Sequence, residues 1–361
     1  PNITLELMRL QAGENIDSLI TSGRVPDIVF AGILNVVDFQ SANMALDLNP
    51  MIKKFSFDLS PFQPVTLEMV KKYSDKGELY ALPFSLGFPI MIYNKDIFDR
   101  FGVTYPKDGM TWAETTELAR KLTVQRDGVQ YSGIATMAFA RLTLTMLQNG
   151  FDPKTGKAKL QTDGFKEVFE IYKNAMSIPG NGTKNFQSFS KDRTVAMYAG
   201  FNSDMSALEE LHKNGNPFNW DIVTFPSMPA KRLNVDTPLQ ILLVTSQNQK
   251  LQEASFHVLS LLTSKEHQMN LSKAARPSTL SDPEIKKVFG QDLSSMKGKN
   301  IQAAFQYRHE PINRKYMADV TINPELNKII PKVVSGEKDI NTALREAEEA
   351  ANKAIESLNL K

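Results

Sequence analysis

Residues 77–98, GELYALPFSLGFPIMIYNKDIF, constrain the fold more than any other stretch of the chain. Apolar and aromatic residues fill it, yet Gly77 precedes them and Pro83 and Pro89 interrupt them. Proline has no N–H to give to a β-ladder, so one continuous central strand is excluded and the pattern reads as two short strands with a bend between them. A helix follows at TWAETTELARKLT, residues 111–123: Thr111 and Glu114 have capping-box spacing, and Trp112, Ala119 and Leu122 recur at helical intervals.

At 361 residues the chain suits two domains, each large enough to bury its own core. Its 42 basic and 40 acidic residues leave a net charge of +2, with no basic block or aromatic-interleaved stripe, so nucleic acid is not an expected partner. With no cysteine, disulfide and thiolate chemistry are excluded. The longest apolar runs, near Ile28–Phe39 and Leu239–Val244, are too short for a membrane span, and the chain reads as soluble.

Along the chain, alternation predicts a strand from Asn2 to Leu10, a helix over Glu14–Ser22, and a second strand in VPDIVFAG at 25–32, together a βαβ unit. Val25, Ile28, Val29 and Phe30 read as a parallel strand buried on both faces. Further helices are expected at Phe165–Met176 and at Leu251–Thr263, with Ala254, Val258, Leu261 and Leu262 on one face. Strands are expected at 195–200, 220–226 and 240–246, and Gly156 is read as a turn between a helix and a strand. In the last helix, capped by Asp339, the stripe Ile340, Ala343, Leu344, Ala347, Ala351, Ala354, Ile355 and Leu358 reads as packing. The fold class is α/β.

Signatures of chemistry are missing. The four histidines form no metal-binding pattern, so no metal or other cofactor is expected. FDPKTGKAKLQTDG at 151–164 has lysines where a calcium loop needs oxygen ligands, and no nucleophile elbow or phosphate-cradling loop occurs. A pair of carboxylates for glycoside cleavage is set by spacing in three dimensions and leaves no mark in sequence.

PDIVF at 26–30, GELYALPF at 77–84, IYNKDIF at 92–98, the Trp112 helix, TVAMYAG at 194–200, WDIVTFP at 220–226 and SKEHQMNLSKAARPS at 264–278 occur in an order and spacing that resembles the extracellular solute-binding proteins of bacterial ABC importers, family 1, the maltose-binding-protein-like group. The resemblance implies a two-lobed, periplasmic-binding-protein-like fold of type II with three interlobe crossings. These are expected near Leu86–Pro89, Asp236–Gln240 and Ala318–Thr321, giving an N-lobe of 1–87 and 240–318 and a C-lobe of 88–239 and 319–361. It further implies capture of a carbohydrate in an interlobe cleft by hinge closure and delivery to the transmembrane subunits of an ABC permease. Such a protein is not an enzyme, acts as a monomer, and is extracytoplasmic, as a cell-surface lipoprotein or in the periplasm. Against this family, PNITLEL at the start implies that a signal, an anchor and a first βα unit lie upstream.

The same resemblance implies ligand contacts at loops that leave strand ends: Gly32, Phe84, Ser85, Phe88, Met137, Phe201, Asn202, Asp204, Gln240, Arg276 and Asp319. For a sugar, Phe84, Phe88 and Phe201 would supply ring faces, and Asn202, Asp204, Gln240 and Arg276 paired polar contacts. Taken singly, each phenylalanine reads as core. Sugar binders of the family usually carry a tryptophan shortly after the TVAMYAG strand, where this chain has Phe201-Asn202-Ser203. That departure leaves room for a small or polar saccharide, a phosphorylated polyol or a peptide-like solute. A glycan-degrading enzyme and a sensor that has lost transport are the readings from other functional classes.

Overall fold

The computed structural model describes residues 3–11, 14–146, 148–228, 234–236, 238–306, 308–310 and 318–357. The chain divides into two compact units. One contains Pro1–Gly87 and Pro238–Asp292; the other contains Phe88–Thr237, Leu293–Ile312 and the chain from Tyr316 on.

In the first unit a three-stranded antiparallel sheet has the order Ile28–Gly32, Leu239–Val244, Leu82–Leu86. Its central strand is nearly all buried, as an interior position demands. The expected strand over Asn2–Leu10 is not formed: residues 3–11 have no regular structure, and Leu5, Leu7 and Leu10 are exposed. Alternation cannot make a strand without a ladder partner, and here the Ile28–Gly32 strand pairs antiparallel with a segment more than two hundred residues later. The expected βαβ unit and doubly buried parallel strand are therefore both corrected. Phe30 is 51% exposed. In the Gln249–Leu262 helix the buried face is Ser255, Phe256, Val258 and Leu259; of the expected stripe Val258 lies on it, Ala254 and Leu262 are half-buried, and Leu261 is exposed.

The second unit is built on a five-stranded sheet in the order Val124–Arg126, Val129–Thr136, Val195–Phe201, Pro89–Asn94, Trp220–Thr224. Only the Val129–Thr136 and Val195–Phe201 pair is parallel. Pro89 opens its strand, where its missing N–H costs least. The Thr111–Glu114 capping box is formed, and Trp112 packs edge-on against Phe225 with centroids 5.3 Å apart. Gly156 turns a small hairpin between Phe151–Asp152 and Lys157–Ala158, rather than joining a helix to a strand. The Ile340–Ser357 helix buries Ala343, Leu344, Ala347, Ala351 and Ile355 and packs against Asp319–Val334. Its Asn352 and Glu348 accept the N–H groups of Ala158, Leu160 and Gln161, so the helix also closes the free edge of the hairpin. Leu358 lies outside the described residues.

At the third crossing expected near Ala318–Thr321, Ala318 is the N-cap of the Asp319–Val334 helix, and residues 311–317 before it lie outside the described residues. The segment from Leu293 already belongs with the second unit. Three carboxylates hold it there. Glu209 accepts the backbone N–H groups of Ser294 and Ser295 at 3.2 and 2.8 Å, Asp221 accepts that of Asn300 at 2.8 Å, and Asp108 takes the side-chain amides of Asn300 and Gln306.

Glu209 gives this contact a pH dependence. Burial opposes its charge, but the hydrogen bonds from Ser295 and Ser294 outweigh burial and lower its carboxyl to about 2. A depressed carboxyl contributes stability that is fully present above its unfolded value, near 4.5, and is lost as pH falls through the folded value. The expected result is that Glu209→Gln lowers the urea midpoint at neutral pH, and that the gap between variant and wild type narrows from pH 4.5 towards pH 2. A gap that stays constant across that window would contradict the assignment.

Candidate ligand-binding site

The first unit aligns three of the predicted residues in one row. Gly32 pairs with Gln240, and Gln240 with Ser85; beyond it Ser85 bridges to Ser278. Between Gln240 and Ile241 the register slips, so Phe84 is the extra residue of a β-bulge. A bulge re-aims a side chain. Here the Phe84 ring meets Phe30 edge-on at 5.2 Å and His267 at 5.9 Å. Burial lowers the pKa of His267.

Arg276 reaches this region because Ala275, at φ 58°, takes the left-handed turn that leaves the Lys265–Lys273 helix. The next residue, Pro277, accepts the Leu86 N–H at 2.9 Å. Arg276 is exposed, and among the described residues its guanidinium makes no hydrogen bond or ion pair. Beneath the row lies Gln268, fully buried. Its amide donates to the Phe84 carbonyl at 2.8 Å and accepts from the Ser278 hydroxyl at 2.7 Å and the Thr279 N–H at 3.1 Å.

In the second unit Phe201 ends its strand half-buried, with the Arg141 guanidinium 4.7 Å from its ring centroid. Asp204, the first residue of the Asp204–Lys213 helix, accepts the Phe201 N–H at 2.8 Å. Burial raises the Asp204 carboxyl above its ordinary range, and burial followed by the Asp204 charge raises the Tyr198 hydroxyl. Gly200 is what lets these groups meet. A Cβ there would lie 2.2 Å from the Tyr198 ring and 2.4 Å from an Asp204 oxygen.

Three predicted residues are placed otherwise. Phe88 is fully buried and offers no ring face; its N–H donates to Asn202 Oδ1 at 2.9 Å, and its carbonyl accepts the Asn202 N–H at 3.0 Å. Asn202 is thus occupied in fixing the entry of the Pro89 strand. Met137 is buried too, its sulfur accepting from the Thr145 hydroxyl. Asp319 is the first residue of its helix, and its side chain lies outside the description. Sequence reasoning missed Phe30, Arg141 and Tyr198. Phe30 hid in an apolar run, Arg141 carried no motif, and Tyr198 was read only as strand. Among the described residues no group of three or more His, Asp or Glu could hold a metal ion, and no helix is long and apolar enough to cross a membrane.

The sequence profile of a family described as bacterial extracellular solute-binding protein matches residues 10–287. An arabinooligosaccharide-binding protein of Bacillus subtilis is 30% identical over 178 residues, which is 46% of this chain and 39% of that protein. An sn-glycerol-3-phosphate-binding periplasmic protein of Rhizobium meliloti is 30% identical over 94 residues, 26% of this chain and 20% of its own length. The chain therefore matches well under half the length of these curated relatives. In three dimensions an ABC substrate-binding protein of Listeria monocytogenes, solved in complex with cycloalternan, superposes with a TM-score of 0.76 over 94% of this chain and 88% of its own, at 18% identity.

Proposed function

Because this chain belongs to the bacterial extracellular solute-binding protein family, we propose that it is the substrate-binding component of an ABC importer, capturing a carbohydrate and delivering it to membrane permease subunits. An extracytoplasmic location follows from the family; within it the protein acts as a monomer, held as a cell-surface lipoprotein or free in the periplasm. The two units act as lobes. The chain passes from one to the other at Gly87/Phe88, Thr237/Pro238 and Asp292/Leu293, among other places, and a ligand that favours one conformation of such a protein shifts the balance towards it.

The observation that carries the saccharide reading is half-buried Gln240, in the Gly32–Gln240–Ser85 row, beside the exposed ring of Phe30, which packs on the buried Phe84. Rings offer an apolar surface to sugar C–H groups, and an amide next to a hydroxyl can satisfy neighbouring hydroxyls on the sugar. Phe201, Asp204 and Arg141 supply the equivalent chemistry in the second unit.

A second reading is favoured by Arg276, an exposed guanidinium without a described partner. Its fork suits a phosphate, and a phosphorylated polyol is the matching cargo. A thermal-shift screen against mono- and oligosaccharides, polyols and their phosphates separates the two. Ligand at roughly 100 times its dissociation constant adds about 2.7 kcal/mol to stability. With a saccharide as cargo, one sugar class raises the melting temperature and Gln240→Ala abolishes the shift, whereas Arg276→Gln leaves it intact. A shift by phosphates alone that Arg276→Gln removes would replace the first reading with the second. Silence from every compound with folded protein would overturn both.

A further inference from the structure

The second unit carries another concavity, of about 350 Å³, lined by Leu208, Phe218, Trp220, Ser295, Lys297 and Lys299 among others. None of these residues belongs to the proposed cargo contacts. The carboxylates around it are already engaged by backbone amides: Glu209 by Ser294 and Ser295, Asp221 by Ile222 and Asn300, and Asp96 by Asn219. The cations are not so engaged. Among the described residues neither Lys297 nor Lys299 makes an ion pair, and the Lys299 ammonium lies 5.1 Å from the centroid of the buried Trp220 ring. Burial, the leading influence, lowers the pKa of Lys299 against the opposing charges of Asp221 and Asp96.

The Ser295 hydroxyl is the second observation. Ser295 is 7% exposed; its Oγ lies close enough to Glu209 to help lower that carboxyl but makes no well-aligned hydrogen bond. A buried hydroxyl without a well-aligned partner is destabilising unless something fills the site. An apolar and aromatic wall, two ammoniums without an ion pair among the described residues and a buried hydroxyl with no well-aligned partner together describe one kind of guest.

We propose that this concavity is a second ligand site, taking a small organic anion whose phosphate or carboxylate head lies between Lys297 and Lys299 and accepts from Ser295, with an apolar ring or chain against Phe218 and Trp220. Its lining residues are separate from the proposed cargo contacts, so its occupancy is independent of cargo.

Phenyl phosphate and inorganic phosphate serve as probes, titrated by isothermal calorimetry at constant ionic strength with chloride as control. Phenyl phosphate binds saturably at one site and more tightly than inorganic phosphate. The Lys297→Gln/Lys299→Gln variant weakens it by about tenfold or more, equivalent to about 1.4 kcal/mol, while its melting temperature and its response in the saccharide screen stay as in the wild type. Benzoate at the same site identifies the head as carboxylate-tolerant, and a response to phosphates alone narrows it to phosphate. Absence of saturation in folded protein overturns the proposal, as does equal affinity in the double variant. Displacement of phenyl phosphate by the Arg276→Gln substitution also overturns it, because the probe would then have occupied the cargo residues instead.

Discussion

Gly133→Ala is expected to be the most damaging single methyl in the protein, lowering stability by about 3 kcal/mol or more, at or beyond the upper range of overpacking costs. A Cβ at this position would lie 2.0 Å from the Ala119 carbonyl oxygen and 2.5 Å from the Ala119 Cα and carbonyl carbon. Those are backbone atoms of the Trp112–Leu122 helix, so no side chain can swing aside. The strand cannot yield either. On one side Ser132 and Ile134 lie in register with Val195 and Met197. On the other, the buried Asn181 amide pairs with both the N–H and the carbonyl of Ile134, at 3.1 and 2.9 Å, in place of a neighbouring strand. The Gly133 N–H is itself spoken for by the Thr123 hydroxyl at 3.0 Å. Gly128→Ala is the control. Gly128 has φ +76° but open space around its Cβ position, so only the left-handed backbone is penalised, by about 1–2 kcal/mol. Urea midpoints of the two variants measure the contrast, and a Gly133→Ala midpoint at or above that of Gly128→Ala would refute the backbone collision.

Local rules were enough to read the parts of this chain whose causes are local. Thr111 and Glu114 close their capping box within four residues, and Asp339 caps the last helix through the Thr342 N–H at 3.0 Å. The stretch is divided as its prolines require: Pro89 opens the strand Pro89–Asn94, and Pro83 sits within Leu82–Leu86, an edge strand. What sequence could not supply was the distant partner. Residues 3–11 alternate like a strand yet join no ladder among the described residues, while Asn181, an unremarked loop residue, completes an edge of the five-stranded sheet. Leu293–Phe305 sits with the second unit because Glu209, Asp221 and Asp108 hold it, and carboxylates that bind backbone amides far along the chain have no spacing signature.

The candidate ligand residues divide along the same line. Gly32, Ser85 and Gln240 come from strand ends that the family pattern marks, and the ladder brings them into one row. Phe88 and Phe201 are equally apolar in sequence and both flank strands. Phe88 falls on the fully buried side, locked by Asn202, whereas Phe201 remains half-buried against Arg141. Which way each ring turns is decided by the tertiary partner, not by the residue.

Gln268→Ala is expected to cost about 3–5 kcal/mol and to reduce cargo affinity in the protein that remains folded. The substitution leaves the Phe84 carbonyl and the Thr279 N–H without the partners they now have at 2.8 and 3.1 Å, and strips the Ser278 hydroxyl of its acceptor at 2.7 Å. Each buried polar group left unpaired costs roughly 1–3 kcal/mol, and the emptied volume adds to that. The functional consequence follows from what the amide joins: the bulged strand that carries Phe84 and Ser85, and the segment after Arg276 that returns to that strand through Pro277 and Ser278. Gln268→Glu separates charge from geometry. It keeps the acceptors for Ser278 and Thr279 but faces the Phe84 carbonyl with an oxygen, so it should be destabilised as well, with stability recovering as pH falls and the buried acid takes up a proton. Urea unfolding with and without the ligand found in the thermal screen reads both effects at once. If Gln268→Ala loses stability but binds cargo with wild-type affinity, the clamp stands and Phe84 and Ser85 are removed from the ligand site. If stability is also unchanged, the buried amide holds neither.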